Sequence, residues 1–178
     1  ELEGHPDNVA PAVLGGMCAS LVRDGRPVTA RVDVSSEVGF IALIPNYASE
    51  TRAMRAALPK EVPFADAVFN ASHLAVLLRA FEAGDFSQIA AAMDDRLHQP
   101  YRRPLLPEFN RAERAAREAG CAAFCLSGSG STCLGVARAG ETAQIAGRIA
   151  SALAGSPCEW RAVALDIDRE GVVCSPIL

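Results

Sequence analysis

The first eight residues of the chain gather polar side chains of the kind that bind cations and phosphate. They are two glutamates, a histidine, an aspartate and an asparagine: Glu1, Glu3, His5, Asp7 and Asn8. An apolar helical segment follows through Leu14, and backbone N–H groups are free at the start of a helix. The plainer alternative is that Asp7 or Asn8 caps a short helix that Gly15 and Gly16 end. Capping alone explains neither the paired glutamates nor the histidine.

Two more groups of polar residues could bind an anionic or polar ligand. Thr51 and Arg55 lie four residues apart, so on a helix they share one face and can reach one ligand. Arg102 lies in a polar block at a predicted helix end, beside His98 and Arg103, and guanidinium groups match the geometry of a carboxylate. The alternative for Thr51 and Arg55 is a solvated helix face, and for His98 it is a capping or solvated residue.

A glycine-rich turn separates two short apolar runs in the last third of the chain. Residues 127–132 read SGSGST, and glycine allows a close approach of the backbone or a positive φ. The N–H groups and hydroxyls around Gly128, Ser129 and Gly130 could form an anion-binding nest. The alternative is a plain hairpin turn, because the pattern is not a Walker loop and no lysine follows it.

The elements that must position these residues are strands and helices in mixed order. Apolar runs predict four strands, at residues 39–44, 122–126, 133–137 and 159–166. Helical patterns lie between the first two strands and between the last two, which predicts an α+β fold of ferredoxin-like split βαβ type with extra helices in its first crossover. A helix and a β-hairpin around Asp24 and Gly25 precede this unit and should belong to a different sheet.

The composition argues against nucleic acid or a membrane as the main partner. Half of the 178 residues are apolar, the formal net charge is −4 and the pI is near 5.4, so an anionic partner is not expected. The longest uncharged run, residues 9–22, contains a proline and is shorter than the roughly 20 apolar residues of a spanning helix. The six cysteines include no Cys-x-x-Cys pair, so we expect reduced thiols in a cytoplasmic protein.

Two motifs of the chain resemble those of a known enzyme family. Residues 3–12, EGHPDNVAPA, together with residues 126–132, LSGSGST, resemble the homoserine kinases of the GHMP small-molecule kinase superfamily. Three internal landmarks of that family follow in the same order: Thr51 with Arg55, residues 68–70, and residues 95–102. The resemblance therefore extends over nearly the whole chain.

The resemblance implies transfer of the γ-phosphoryl group of ATP to the hydroxyl of L-homoserine, with Mg²⁺, on the route to threonine. Its substrate site would comprise His5, Asn8, Thr51, Arg55 and Arg102. Its phosphate side would comprise Gly128, Ser129 and Gly130, and its Mg²⁺ ligand would be Glu3 or, in reserve, Glu1. The catalytic base is open between Asp7 and Asn8. An amide accepts no proton at neutral pH, so we expect catalysis largely by positioning.

The sequence departs from the family pattern in two places. Ser131 stands where the family usually has proline, which should loosen the turn without removing a donor. The family's phosphate loop, of the type Pro-x-x-x-Gly-Leu-Gly-Ser-Ser-Ala, is absent from the 178 residues and is expected before Glu1. We therefore expect residues 1–36 to be a remnant of an N-terminal nucleotide-binding domain, residues 37–178 to be a C-terminal domain, and this piece alone to be inactive.

Two other functions stay open on the sequence. One is another kinase of the same superfamily, acting on mevalonate or a sugar; the other is a non-catalytic, amino-acid-binding ferredoxin-like module. Arg55 and Arg102 favour a ligand with a carboxylate, and a pure regulator would have no reason to keep the polar opening motif. The resemblance is also compatible with a homodimer.

Overall fold

Strands and helices are mixed along the chain, which the computed structural model describes from residue 5 to residue 174. The strands are β1 (Met17–Arg23), β2 (Arg26–Val32), β3 (Val38–Pro45), β4 (Ala123–Leu126), β5 (Cys133–Arg138) and β6 (Trp160–Leu165). The helices are α1 (Val9–Leu14), α2 (Thr51–Ala56), α3 (Phe64–Ala83), α4 (Phe86–Ala92), α5 (Gln99–Arg102), α6 (Phe109–Ala119) and α7 (Thr142–Ala152). Short 3-10 turns follow α5 and β5, at Arg103–Leu105 and Ala139–Glu141.

Strands β1 and β2 form a two-stranded antiparallel sheet of their own. Arg23 pairs with Arg26, so Asp24 and Gly25 form the two-residue turn between the strands. Both turn residues have positive φ, 51° and 72°, a conformation that Asp-Gly sequences tolerate and that matches the twist of paired strands. The predicted hairpin, and its separation from the main sheet, are confirmed.

The main sheet has four strands in the order β4-β5-β3-β6, and every neighbouring pair is antiparallel. Strand β3 lies inside the sheet, with β5 on one side and β6 on the other. Six of its eight residues are buried, as expected of an apolar strand that is covered on both faces. The chain order of these strands in the sheet is that of a split βαβ unit, so the predicted α+β fold is confirmed.

Side chains alternate between the two faces of the sheet along each strand. Helices pack on both faces, so the buried residues form two clusters. One buried cluster joins the sheet to α6 and α7 and includes Ile41, Leu43, Phe124, Phe109, Ala112, Ile145 and Ile149. A second cluster, on α4 and the end of α3, includes Val34, Val38, Val136, Phe81 and Ile89. Ile41 and Leu43 expose no surface, and burying each such side chain contributes about 1.5–3 kcal/mol.

Helix α3 is buried in the core only near its end. Ala80 and Phe81 are its buried residues, whereas Phe64 at its start is 85% exposed. By length and composition alone α3 could cross a membrane, but core helices of soluble proteins meet the same criterion, so this is weak evidence. Gly84 ends the helix with φ +66°, and Asp85 caps α4 by accepting a hydrogen bond from the N–H of Gln88, 3.0 Å away.

The six cysteines are all free thiols in the structure. Cys121 and Cys133 are buried, and burial raises the pKa of the first to about 11 and of the second to about 12. At neutral pH both are therefore protonated and unreactive. Cys174, by contrast, is exposed.

Candidate active site

The side chain of Arg102 joins three segments of the chain. It leaves α5 and donates a hydrogen bond from Nε to the carbonyl of Met54 in α2, at 3.2 Å. One of its terminal nitrogens donates to the carbonyl of Gly128 in the turn between β4 and β5, at 3.0 Å. A half-buried guanidinium thus sits where α2, α5 and the glycine-rich turn meet.

Helix α2 carries two of the other four residues predicted to surround the substrate. Met54 is only 2% exposed and anchors the helix in the core, while Thr51 and Arg55 are both exposed. Among residues 5–174, Arg55 makes no ion pair, so its charge is available to a ligand. The structure therefore brings Thr51, Arg55 and Arg102 onto two helices that touch through the Met54 carbonyl.

The start of α5 is held by the carboxylate of Asp95, which is 10% exposed. One of its oxygens accepts hydrogen bonds from the N–H of Leu97 at 3.1 Å and the Asn70 amide at 2.7 Å. The other accepts from the N–H groups of His98 at 2.8 Å and Gln99 at 2.6 Å. Burial alone would raise the pKa of Asp95, but these hydrogen bonds outweigh it and hold the pKa below its ordinary value.

His98 lies between Asp95 and Arg102. Burial lowers its pKa; the charge of Asp95 opposes this shift, and the charge of Arg102 adds to it. The imidazole is therefore neutral at pH 7, and its Nδ1, 3.3 Å from a terminal nitrogen of Arg102, can accept a hydrogen bond from the guanidinium. A neutral His98 supports Arg102 without competing with it for an anion.

The glycine-rich turn is closed by its own backbone. The N–H of Ser127 donates to the carbonyl of Thr132 at 3.0 Å, and the N–H of Gly130 donates to the carbonyl of Ser127 at 2.9 Å. Gly128 and Gly130 have φ of 57° and 88°, which favours glycine at both positions. Within residues 5–174 the N–H groups of Gly128 and Ser129 have no hydrogen-bond acceptor, so they are free to bind an anion.

Two side chains tie this turn to the body of the protein. The side-chain oxygen of Gln99 accepts a hydrogen bond from the N–H of Leu126 at 2.8 Å, at the end of β4. The hydroxyl of Ser131 donates to the carbonyl of Tyr47 at 2.6 Å. The serine that replaces the family's proline thus links the turn to the segment that follows β3.

The opening motif lies on the surface beside α1. His5, Asp7 and Asn8 are exposed; Nδ1 of His5 contacts a carboxylate oxygen of Asp7, and the same oxygen accepts from the N–H of Asn8 at 3.1 Å. Asn8 occupies the N-cap position of α1, but neither its side chain nor that of Asp7 caps the helix, so the capping alternative is wrong. No hydrogen bond among the described residues joins this motif to Arg102.

The predicted metal ligands, Glu3 and in reserve Glu1, lie outside the described residues. In residues 5–174 no group of three His, Cys, Asp or Glu side chains is arranged to hold a metal ion. Because Mg²⁺ that binds with nucleotide phosphates uses only one or two protein carboxylates, the glutamate ligand stays a prediction.

No role was predicted from the sequence for Asp95, Asn70 or Gln99, although all three lie in the family landmarks at residues 68–70 and 95–102. The role of Asp95 had a recognisable signal, because an aspartate just before a short helix is the pattern of a helix cap. The contacts of Asn70 and Gln99 had no local signal, since their partners lie 25 and 27 residues away along the chain.

Part of the chain matches the profile of a known protein family. Residues 77–155 match the profile described as GHMP kinases C terminal. The homoserine kinase of Moorella thermoacetica is 46% identical over 154 residues, which cover 86% of this chain and 51% of that enzyme. The homoserine kinase of Synechocystis is 38% identical over 177 residues, which cover 99% of this chain and 58% of the enzyme.

A solved structure shows the same fold. The crystal structure of homoserine kinase from Cytophaga hutchinsonii matches with a TM-score of 0.86 at 24% identity, over 93% of this chain and 53% of that one. This chain spans about half the length of the curated relatives it matches. The chain therefore contains a GHMP kinase C-terminal domain, matched at residues 77–155, in a sequence similar to homoserine kinases.

Proposed function

We propose that the protein containing this chain is a homoserine kinase, which transfers the γ-phosphoryl group of ATP to the hydroxyl of L-homoserine. One observation carries the proposal: the guanidinium of Arg102 links α2 to the turn at Gly128, so a carboxylate-binding group lies beside an anion-binding turn. The similarity to homoserine kinases adds support. The product, O-phospho-L-homoserine, would be made in the cytoplasm on the route to threonine.

The amino-acid end of the substrate would lie against α2 and α5. Arg55 and Arg102 would bind the carboxylate, because planar guanidinium groups offer paired N–H donors in the geometry that a carboxylate accepts. Thr51, one helical turn from Arg55, would hydrogen-bond the same ligand. His5 and Asn8 would contact the substrate from the opening motif.

The phosphates of ATP would lie along the turn at Gly128, Ser129 and Gly130, where the N–H groups of Gly128 and Ser129 would donate to them. Magnesium would arrive with ATP and neutralise part of that charge. Glu3, with Glu1 in reserve, is our proposed protein ligand for it. The rest of the nucleotide site would come from a phosphate loop, which residues 1–178 do not contain.

Catalysis would rest on alignment and charge stabilisation, as phosphoryl transfer requires little covalent help. Asn8 cannot accept a proton at neutral pH, and Asp7 is exposed and engaged by His5. We therefore propose that both residues orient the reactants and that the hydroxyl proton leaves to phosphate or water. Residues 1–36 would pack with the nucleotide-binding domain, residues 37–178 would form the C-terminal domain, and two copies could pair as a homodimer.

Calorimetry on the full-length protein separates this proposal from its alternatives. Homoserine, threonine and mevalonate are titrated with and without a non-hydrolysable ATP analogue. We expect homoserine to bind, and to bind more tightly with the nucleotide present. Tighter binding of mevalonate would favour another superfamily kinase, and amino-acid binding without any nucleotide binding would favour a non-catalytic module.

A further inference from the structure

We propose that Asp95 is a positioning residue, which fixes α5 and through it both the Arg102 guanidinium and the glycine-rich turn at residues 127–131. The inference rests on the proposed function only in treating Arg102 as a substrate contact. The claim that Asp95 orders α5 and the turn rests on the hydrogen bonds alone.

The first step is that α5 is too short to be stable without contacts from other parts of the chain. It spans four residues, Gln99–Arg102, with Pro100 at its second position. One turn of helix is far below the length at which a helix is stable without outside contacts. Asp95 supplies such contacts, because its two oxygens accept from three successive N–H groups, those of Leu97, His98 and Gln99.

The second step is that Asp95 is itself held from α3. The side chain of Asn70 donates to Asp95 at 2.7 Å, and its oxygen accepts from the N–H of Arg96 at 2.9 Å. The side-chain amide of Asn70 thus binds two consecutive residues, the carboxylate of Asp95 and the backbone N–H of Arg96. A carboxylate with fixed donors on both oxygens has one orientation available to it.

The third step is that α5 contacts the glycine-rich turn and positions the guanidinium of Arg102. Gln99 and Arg102 lie three residues apart, so they share one face of the helix. Gln99 holds Leu126 at the entry to the turn, and Arg102 holds Gly128 within it. Releasing α5 would therefore loosen the guanidinium and the turn together.

The test compares Asp95→Asn with two matched controls in the full-length protein. Asp95→Asn keeps the shape but turns one acceptor oxygen into a donor that faces N–H groups. Asp94→Asn changes the adjacent carboxylate, which accepts from the N–H of Asp95 but not from α5. Asp85→Ala removes a different cap, on α4, and reports a general loss of stability.

Two measurements are made on each variant. Steady-state kinetics are expected to show that Asp95→Asn raises KM for homoserine about tenfold and, because the turn that would hold the ATP phosphates is loosened as well, KM for ATP about threefold. Amide hydrogen exchange without ligands is expected to accelerate about tenfold at Leu126 in the same variant. Neither change is expected in Asp94→Asn or Asp85→Ala.

A wild-type KM together with wild-type exchange in Asp95→Asn would overturn the proposal, as would equal effects in Asp85→Ala. If Asp95→Asn does not fold, Asn70→Ala removes one donor to the carboxylate and is expected to raise KM about threefold; an unchanged KM would then refute the proposal. If the wild-type protein does not phosphorylate homoserine, the proposed function fails, but the exchange data still decide whether Asp95 orders the turn.

Discussion

Arg52 and Arg55 offer a direct comparison at the scale of single residues. Both are exposed on α2, but Arg55 lies one turn from Thr51 on the face assigned to the substrate. We expect Arg55→Ala to raise KM for homoserine about 10- to 100-fold, because charge-assisted hydrogen bonds contribute about 1.5–3 kcal/mol. Arg52→Ala should leave KM unchanged. Steady-state kinetics on the full-length protein decide this, and equal effects of the two substitutions would contradict the assignment.

The carboxylate of Asp95 should make stability depend on pH in one direction. Its pKa is lower in the folded protein than the ordinary value of 3.8, so its contribution is fully present above that value and is lost as the pH falls through the folded pKa. Asp95→Asn should therefore lower the free energy of unfolding by about 2 kcal/mol at pH 7 and by progressively less below pH 4. Urea unfolding at several pH values measures the difference; a constant difference would contradict the hydrogen-bonded carboxylate.

Site residues could be predicted where their own chemistry identifies them. Guanidinium groups in a polar block indicate an anion site, so Arg55 and Arg102 could be named from the sequence and its family resemblance. Asp95 accepts from backbone N–H groups two to four residues ahead of it, which is a local capping pattern. Gln99 accepts from the N–H of Leu126, which only the folded chain brings near, so no local pattern encodes that contact.

Packing between β3 and the segment after β5 leaves room for glycine alone at position 39. A Cβ there would lie 2.5 Å from Cγ2 of Thr142 and 2.8 Å from Cα of Ala139. Gly39→Ala should therefore destabilise the fold by about 1–3 kcal/mol. Gly147→Ala, in α7 with no atom within 4 Å of the new Cβ, is the control and should stabilise by about 0.5–1 kcal/mol. Denaturation midpoints measure both, and unchanged stability in Gly39→Ala would contradict this packing.

The elements themselves differ in how far the sequence predicts them. Strands β3 to β6 are short apolar runs between polar or glycine residues, and β3 reads as buried on both faces, which it is. Helix α5 has too few residues to show a period and exists because outside groups satisfy its N–H donors. The exposed start of α3, with Phe64 on the surface, also could not be predicted, because its apolar pattern resembles that of a core helix.

At the scale of the whole molecule, Arg102, the proposed carboxylate-binding group, contacts the turn at Gly128, and the phosphate loop of the family is absent from residues 1–178. We therefore expect these 178 residues alone to show no homoserine-dependent ATP turnover. A coupled assay of ADP release measures this turnover, and the same assay on the full-length protein is the control. Normal turnover by the 178 residues would show that the missing motif is dispensable.

The central claim is the identity of the acceptor, and one measurement tests it most directly. ADP release by the full-length protein is followed with MgATP and L-homoserine, mevalonate or no acceptor, and the products are identified by mass spectrometry. We predict ADP release that depends on homoserine, with O-phospho-L-homoserine formed in equal amount. ADP release that ignores homoserine, or that mevalonate supports equally well, would contradict the assignment of this chain to a homoserine kinase.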